Sequence, residues 1–415
     1  MKNQIDTIPN TNLDKRFLAT LFLLLYVSMD TLLFGTNNNA SFITLGQVFY
    51  VICAIVFGFR MLIEKRRFFP IVVFLLIYIL LSAIVNIDFT GGVVLQLSAI
   101  VIGASVVSRY SFDFFVKNFD FLFYYLTLVG FIFWVAYLLF PDLFTVFPVV
   151  YNTGEKCAFV FTGINNIIAE GFAGGFRNCL FFREPGVFAV FLIFMLAVNL
   201  FYYKNINKWN VAIYVIGIIT TLSTAGYILL LSLLFLFFMS KKNSKGVVST
   251  VLLFLVFLIA YNYFKDDLMF AQIFGKLNAD SDSYASTLSR KSSFILPLYL
   301  SYNHPVFGAG LTGFTNEYLV FSKQIYHTVI DPSGNATNTM LNIAATYGIP
   351  VGVSMVIILV RFVNYLKPHS TLLFKFLFTI ILFGALSNED LRYSAIIYIF
   401  LFYGIKENHI HRQLR

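Results

Sequence analysis

The sequence predicts an all-α polytopic membrane protein, a single integral domain over residues 1–415 with two larger loops on one side of the bilayer. Three observations lead there. Hydrophobic residues make up 59% of the chain and charged residues only 12%, where a soluble domain has about 45–50% and about 25%. Mean hydropathy is +0.81. Apolar runs long enough to cross a hydrocarbon core of about 30 Å recur along the chain, and 51 phenylalanines contribute to them.

Taken in order, the expected spans are 17–35, 43–62, 70–86, 91–107, 120–140, 184–202, 209–223, 225–240, 247–264, 341–360, 371–387 and 393–406. The stretch 209–240 decides the count. As one helix it would be about 45 Å long at 1.5 Å per residue, too long for the core. Lys204 and Lys208 precede it, and Lys241, Lys242 and Lys245 follow. Positive residues stay on the cytoplasmic side, so the run must cross twice. Gly226, in Ser223-Thr224-Ala225-Gly226, supplies the turn. About twelve spans follow, with both termini cytoplasmic.

The longer exported loops are then about 141–183 and 265–340. Cytoplasmic segments and span ends hold 20 of the 29 Lys and Arg residues. The net charge of +9 is thus explained by topology, and nucleic acid is not an expected partner. Membrane lipids are. Residues 1–16 are polar, with Lys15 and Arg16 before the first span and no small-residue cleavage site, so no cleavable signal peptide is expected. The three cysteines cannot make a thiolate metal site. Cys157 and Cys179 share an exported loop, where an oxidising compartment permits pairing.

Chemistry is expected on the two loops. The run Arg177 to Gly186, RNCLFFREPG, leads into a span whose first turn holds Pro185. The free N–H groups of that helix start, with Arg177 and Arg183, form a cradle for a phosphorylated ligand. Glu184 adds a carboxylate. Arg290 precedes an apolar, interface-like segment and is directed to a lipid-borne phosphate. His327 and Asp331 form a candidate base pair, and Asn338 stands before the next span. Gly308, Gly310 and Gly313 match GxGxxG, but no βαβ unit surrounds them; tight turns and close backbone approach are expected instead. No metal-ligand pattern and no GxSxG occur, so neither metal nor cofactor is expected. Ionisable residues within the spans are few, Asp30 and Lys375 being the visible ones, which disfavours coupled transport.

The pattern R…FxEPG at a span start (Arg177, Phe182, Glu184, Pro185, Gly186), followed by TLSTAGY and HPVFGAGLTGF, resembles the superfamily of O-antigen polymerases and O-antigen ligases. The segment NTMLNIAATYGIPVG, Asn338 to Gly352, is similar to that family's HNxxLxxxxxxGxxG element. The resemblance covers about residues 170–360. Thr337 stands where ligases place a histidine, which tilts the reading toward polymerase. The resemblance implies a GT-C-like fold and a nucleotide-independent glycosyltransferase in the bacterial inner membrane, its active site facing the periplasm. The growing glycan would leave undecaprenyl diphosphate and join the next undecaprenyl-diphosphate-linked repeat unit. Partners implied are carrier-linked oligosaccharides, a chain-length-regulating polysaccharide co-polymerase and a flippase. On this reading Arg177, Arg183 and Asn338 bind substrate, while Glu184, Arg290, His327 and Asp331 are catalytic. The alternatives are a ligase transferring polymer to lipid A core, a lipid-linked oligosaccharide flippase, and a non-catalytic assembly partner.

Overall fold

Helices carry most of the chain that the computed structural model describes, namely residues 13–35, 40–66, 69–147, 149–152, 155–158, 164–165, 177–241 and 284–413. Four helices are long and apolar enough to cross a membrane: α3 (Ala40–Ile63), α5 (Gly91–Arg109), α6 (Phe112–Leu139) and α14 (Ile349–Leu366). Shorter apolar helices accompany them: α4 (Pro70–Val85), α7 (Pro185–Phe201), α8 (Lys208–Thr220), α9 (Thr224–Ser240), α15 (Leu372–Leu386) and the buried part of α16 (Ala395–Gln413). This is an all-α multi-pass membrane architecture. The expected span 247–264 and residues 265–283 lie outside the described residues.

Every residue of α7 is buried. A helix apolar all round belongs in the middle, and α7 packs on α8, α9 and α15. The second central helix is α16, against α5 and α14. Between these helices α6 sends in a ladder of stacked rings spaced one turn apart, Phe115, Phe119 and Phe123. Phe400 of α16 meets the first two edge-on at 5.1 and 5.5 Å, a geometry aromatic rings favour. The outer wall is α3, which leaves Ile52, Ile55, Val56, Phe59, Leu62 and Ile63 exposed. In a bilayer that surface faces acyl chains.

Local chemistry departs from the expected spans in two places, and one expected loop is partly helical. The first span, 17–35, ends as α1 (Lys15–Tyr26), and only α2 (Leu32–Gly35) resumes. Between them the Ser28 hydroxyl accepts from Asp30 N (3.2 Å) and the Thr31 hydroxyl donates to Ser28 O (2.9 Å). Such side chains offer the backbone an alternative to helix. Asp30 therefore lies in a break, where its carbonyl accepts from Arg183 N at 2.9 Å. The span 341–360 is likewise broken, into α13 (Thr339–Tyr347) and α14, at Gly348. The loop 265–340 carries further helices, α10 (Tyr284–Asn303), α11 (Gly310–Tyr326) and α12 (Pro332–Asn335).

The loop 141–183 is not helical throughout. After a 3₁₀ turn, Pro141–Val146, it forms a small antiparallel sheet in the order β1 (Val149–Asn152), β2 (Glu155–Ala158), β3 (Ile164–Asn165) and β4 (Arg177–Asn178). This is an addition to the expected all-α chain. The pairing of Cys157 with Cys179 that the compartment would permit rests on a side chain outside the described ones.

The helix ends sort into two faces. On one, Arg109 pairs with Glu64 at 2.8 Å, and Lys406 Nζ donates to the carbonyls of Val107 and Tyr110 at the α5–α6 turn (2.6 and 2.7 Å). The start of α1 joins them through Asp14 N and Asn118 Oδ1 at 3.1 Å. On the other face lie the α4–α5 turn, residues 177–184, the α8–α9 turn, the start of α13 and the α15–α16 turn. The break between α8 and α9 falls at Thr221–Ser223, where Ser223 caps α9 by accepting from Gly226 N at 3.2 Å.

The GxGxxG glycines serve packing. Gly308 has φ +67, and a Cβ there would lie 2.3 Å from the Thr346 carbonyl; Gly348, at φ +101, would meet Val306 O at 1.8 Å. Gly348→Ala is expected to destabilise the fold by about 2 kcal/mol or more, read as a lower thermal midpoint of the purified protein. Gly313→Ala, which meets only Ala309 Cβ at 3.4 Å, is the matched control and is expected to be near neutral.

Candidate functional site

The segment from Arg177 to Glu184 is pinned from several sides before it enters α7. Asn178 Nδ2 donates to Thr220 Oγ1 at 3.1 Å, and Arg177 Nε donates to Thr221 O at 3.0 Å. Leu32 N donates to Phe181 O at 3.0 Å, and Phe182 bridges Thr31. Residues 178–182 are buried, while Arg177, Arg183 and Glu184 are partly exposed. Apolar side chains thus anchor the segment and leave its charged ones at the surface of the fold. Glu184 stands at the N-cap of α7, yet its side chain makes no capping bond. It remains available to its neighbours.

Those neighbours come from the same segment and from two other elements, the α15–α16 loop and α10. Arg183 Nη2 donates to Asp390 O at 2.8 Å and lies 3.9 Å from Glu389 Oε2. Arg290, exposed on α10, donates through Nη1 to Asn388 Oδ1. Glu389 presses its carboxyl against the start of α7 so closely that a Cβ on Gly186 would sit 2.0 Å from Oε1. Arg177, Arg183, Arg290, Glu184 and Glu389 therefore form one charged cluster. The charges act on one another. Burial pushes the Glu389 carboxyl up to about 8, with Glu184 adding to the rise and Arg183, Arg290 and Arg177 opposing it. Burial also lowers Arg177, where Glu184 opposes and Arg290 reinforces the shift. Burial pulls Arg183 down as well, but Glu389, Glu184, Asp30 and Asp390 outweigh it and the net shift is upward. Guanidinium groups remain charged through such changes.

The loop that carries Asn388 and Glu389 was not singled out from the sequence. It is stapled to α13. Thr339 Oγ1 donates to Glu389 O (2.6 Å) and accepts from Leu391 N (2.9 Å), and Asn342 Nδ2 donates to Asp390 Oδ2 (3.2 Å). Arg392, buried, pairs with Asp390 at 2.6 Å and donates to Thr346 Oγ1 at 3.1 Å. A signal was present: SNEDLR places three charges in four residues between two apolar runs, which in a membrane protein asks for a functional or paired role.

Asn338 caps α13, its Oδ1 accepting from Leu341 N at 3.1 Å. The Nδ2 atoms of Asn338 and Asn388 are buried with no hydrogen-bond partner among the described residues. Buried donors without an acceptor are costly and suit a site that awaits one. His327 and Asp331 sit elsewhere. His327, exposed, ends α11 in a left-handed conformation (φ 57). Asp331, exposed, caps α12 by accepting from Ser333 N at 2.9 Å. Each is occupied with a helix end, and the two do not form the expected base pair within the charged cluster. Among the described residues, the histidine that does meet a carboxylate is His304, 2.9 Å from Glu317.

Residues 209–356 match the family model described as O-antigen ligase. Over that stretch the chain is similar to the O-antigen ligase and polymerase superfamily. Neither the curated proteins nor the solved structures yield a match. The O-antigen ligase-like domain runs from α8 into α14 and includes Arg290 and Asn338. Arg177, Arg183, Glu184 and the loop 388–392 lie outside it, yet they complete the cluster in space. Members of this superfamily are glycosyltransferase-like enzymes, and a cluster rich in arginine is suited to an anionic leaving group.

Proposed function

We propose that the chain is an O-antigen polymerase of the inner membrane, transferring a growing glycan from undecaprenyl diphosphate to the next undecaprenyl-diphosphate-linked repeat unit on the periplasmic side. The observation that carries this reading is the meeting of Arg177, Arg183 and Arg290 at the start of α7, on the face opposite the basic helix ends. If the basic face is cytoplasmic, the cluster faces the periplasm and both ends of the described chain lie inside.

In the reaction, the bond between the anomeric carbon of the donor glycan and the carrier's terminal phosphate oxygen breaks. An acceptor hydroxyl oxygen bonds to that carbon, and its proton passes to a carboxylate. The carrier leaves as the diphosphate, whose growing charge the arginines and the amide donors of Asn338 and Asn388 stabilise. Glu184, partly exposed and unspent on its helix, faces the acceptor as the base. Glu389 behind it shares the proton, since a carboxyl raised toward working pH is suited to hold one. His327 and Asp331 take no part in this scheme. A co-polymerase and a flippase remain the expected partners.

Deleting the gene and resolving the lipopolysaccharide on a gel tests the assignment. A single repeat unit on the core is expected, restored to a ladder by the wild-type gene. A core bare of any repeat unit would identify a ligase instead.

A further inference from the structure

On the basic face, away from the arginine cluster, a cavity of about 550 Å³ opens between α6, the α7–α8 turn and α8. Lys117, Asp120 and Tyr124 of α6, Tyr203 of the turn, and Trp209 and Asn210 of α8 line it. The transfer reaction makes no use of these residues. Asp120 is buried and held by neutral donors: Oδ1 accepts from Asn199 Nδ2 and from the Tyr214 hydroxyl, each at 2.8 Å, and Oδ2 accepts from Asn210 Nδ2. A carboxylate has about four acceptor positions, so Oδ2 keeps one for a ligand. Amides and a hydroxyl orient the charge without cancelling it. Lys117 lies one turn before Asp120 on the same helix face, and the two mark opposite charges on the wall of one cavity.

The surroundings indicate where a ligand would come from. Trp209 is exposed, and Lys204 and Lys208 beside it are exposed as well. Tryptophan and lysine at a span end mark the headgroup layer. We propose that this cavity binds the headgroup of an aminophospholipid from the cytoplasmic leaflet. Its ammonium meets Asp120 and the faces of Tyr124, Tyr203 and Trp209, and its phosphate turns toward Lys117. A choline headgroup has no N–H to give Asp120, and a glycerol headgroup has no positive charge.

Native mass spectrometry of the full chain, released from mixed vesicles of phosphatidylethanolamine, phosphatidylcholine and phosphatidylglycerol, tests this. Wild-type protein is expected to retain phosphatidylethanolamine at least about tenfold over either competitor, the scale of a desolvated charge contact. Asp120→Asn is expected to erase that preference, and Lys117→Gln to weaken retention of all three lipids while leaving their ranking unchanged. Equal retention of the three lipids by the wild type would overturn the proposal, and it does so even if Asp120→Asn fails to fold. Unchanged preference in a folded Asp120→Asn variant, or undiminished retention of all three lipids by Lys117→Gln, would overturn it too. Binding of soluble glycerophosphoethanolamine as tightly as the lipid would place the occupant in solution and likewise end the lipid assignment.

Discussion

Arg290→Ala is expected to reach the membrane at the wild-type level and to lose at least about a hundredfold in polymer formation, the cost of removing one fixed donor to a developing anion. The separation of folding from chemistry follows from position. Arg290 is exposed on α10 and its guanidinium touches the rest of the protein through Asn388. Removing it opens no core cavity, and Asn388, which donates nothing to that bond, keeps its place in the stapled loop. Arg290→Lys is expected to recover only part of the activity, because an ammonium lacks the planar fork that grips a phosphate through two bonds. Turnover of carrier-linked oligosaccharide by the purified variants is the measurement. Full activity in Arg290→Ala would remove this arginine from the site.

Glu389→Gln is expected to have two effects of opposite sign. Activity falls, because the carboxyl that shares the acceptor's proton is gone. Stability at alkaline pH rises. The Glu389 carboxyl stands at about 8 in the folded protein against an ordinary value of 4.5, through burial first and Glu184 second. Between those values the folded chain holds a proton that the unfolded chain has released. The stability this group contributes is complete below 4.5 and is lost as pH rises through about 8. The loss is on the order of a few kcal/mol. Glutamine does not titrate, so the wild-type thermal midpoint is expected to drop toward the alkaline end of that window relative to Glu389→Gln. Parallel midpoints across the window would show that the arginines keep Glu389 ionised throughout.

Hydropathy and charge asymmetry made the architecture legible, down to the break inside 209–240, because a bilayer imposes length and sign on a sequence with little tolerance. What it could not show was where a span gives way to side-chain hydrogen bonds. Ser28 and Thr31 read as minor polar residues in an apolar run, and only the pairing of residues 30–32 with 181–183 reveals why the helix stops there. The arginines of the cluster could be picked out in the sequence, since Arg177, Arg183 and Arg290 stand out as charges in polar stretches of so apolar a chain. Glu389 carried a charge signal in SNEDLR, but its place in the site depends on contact with Gly186, which is 203 residues away in sequence but adjacent in space. His327 and Asp331 drew attention by residue type alone, and their tertiary setting makes them helix termini.

The most direct test of the account is a structure of the protein with undecaprenyl diphosphate bound. The diphosphate is expected at the start of α7, within hydrogen-bond reach of Arg177, Arg183 and Arg290 together. A diphosphate held elsewhere, with those three guanidinium groups still turned to Thr221, Asp390 and Asn388, would contradict it.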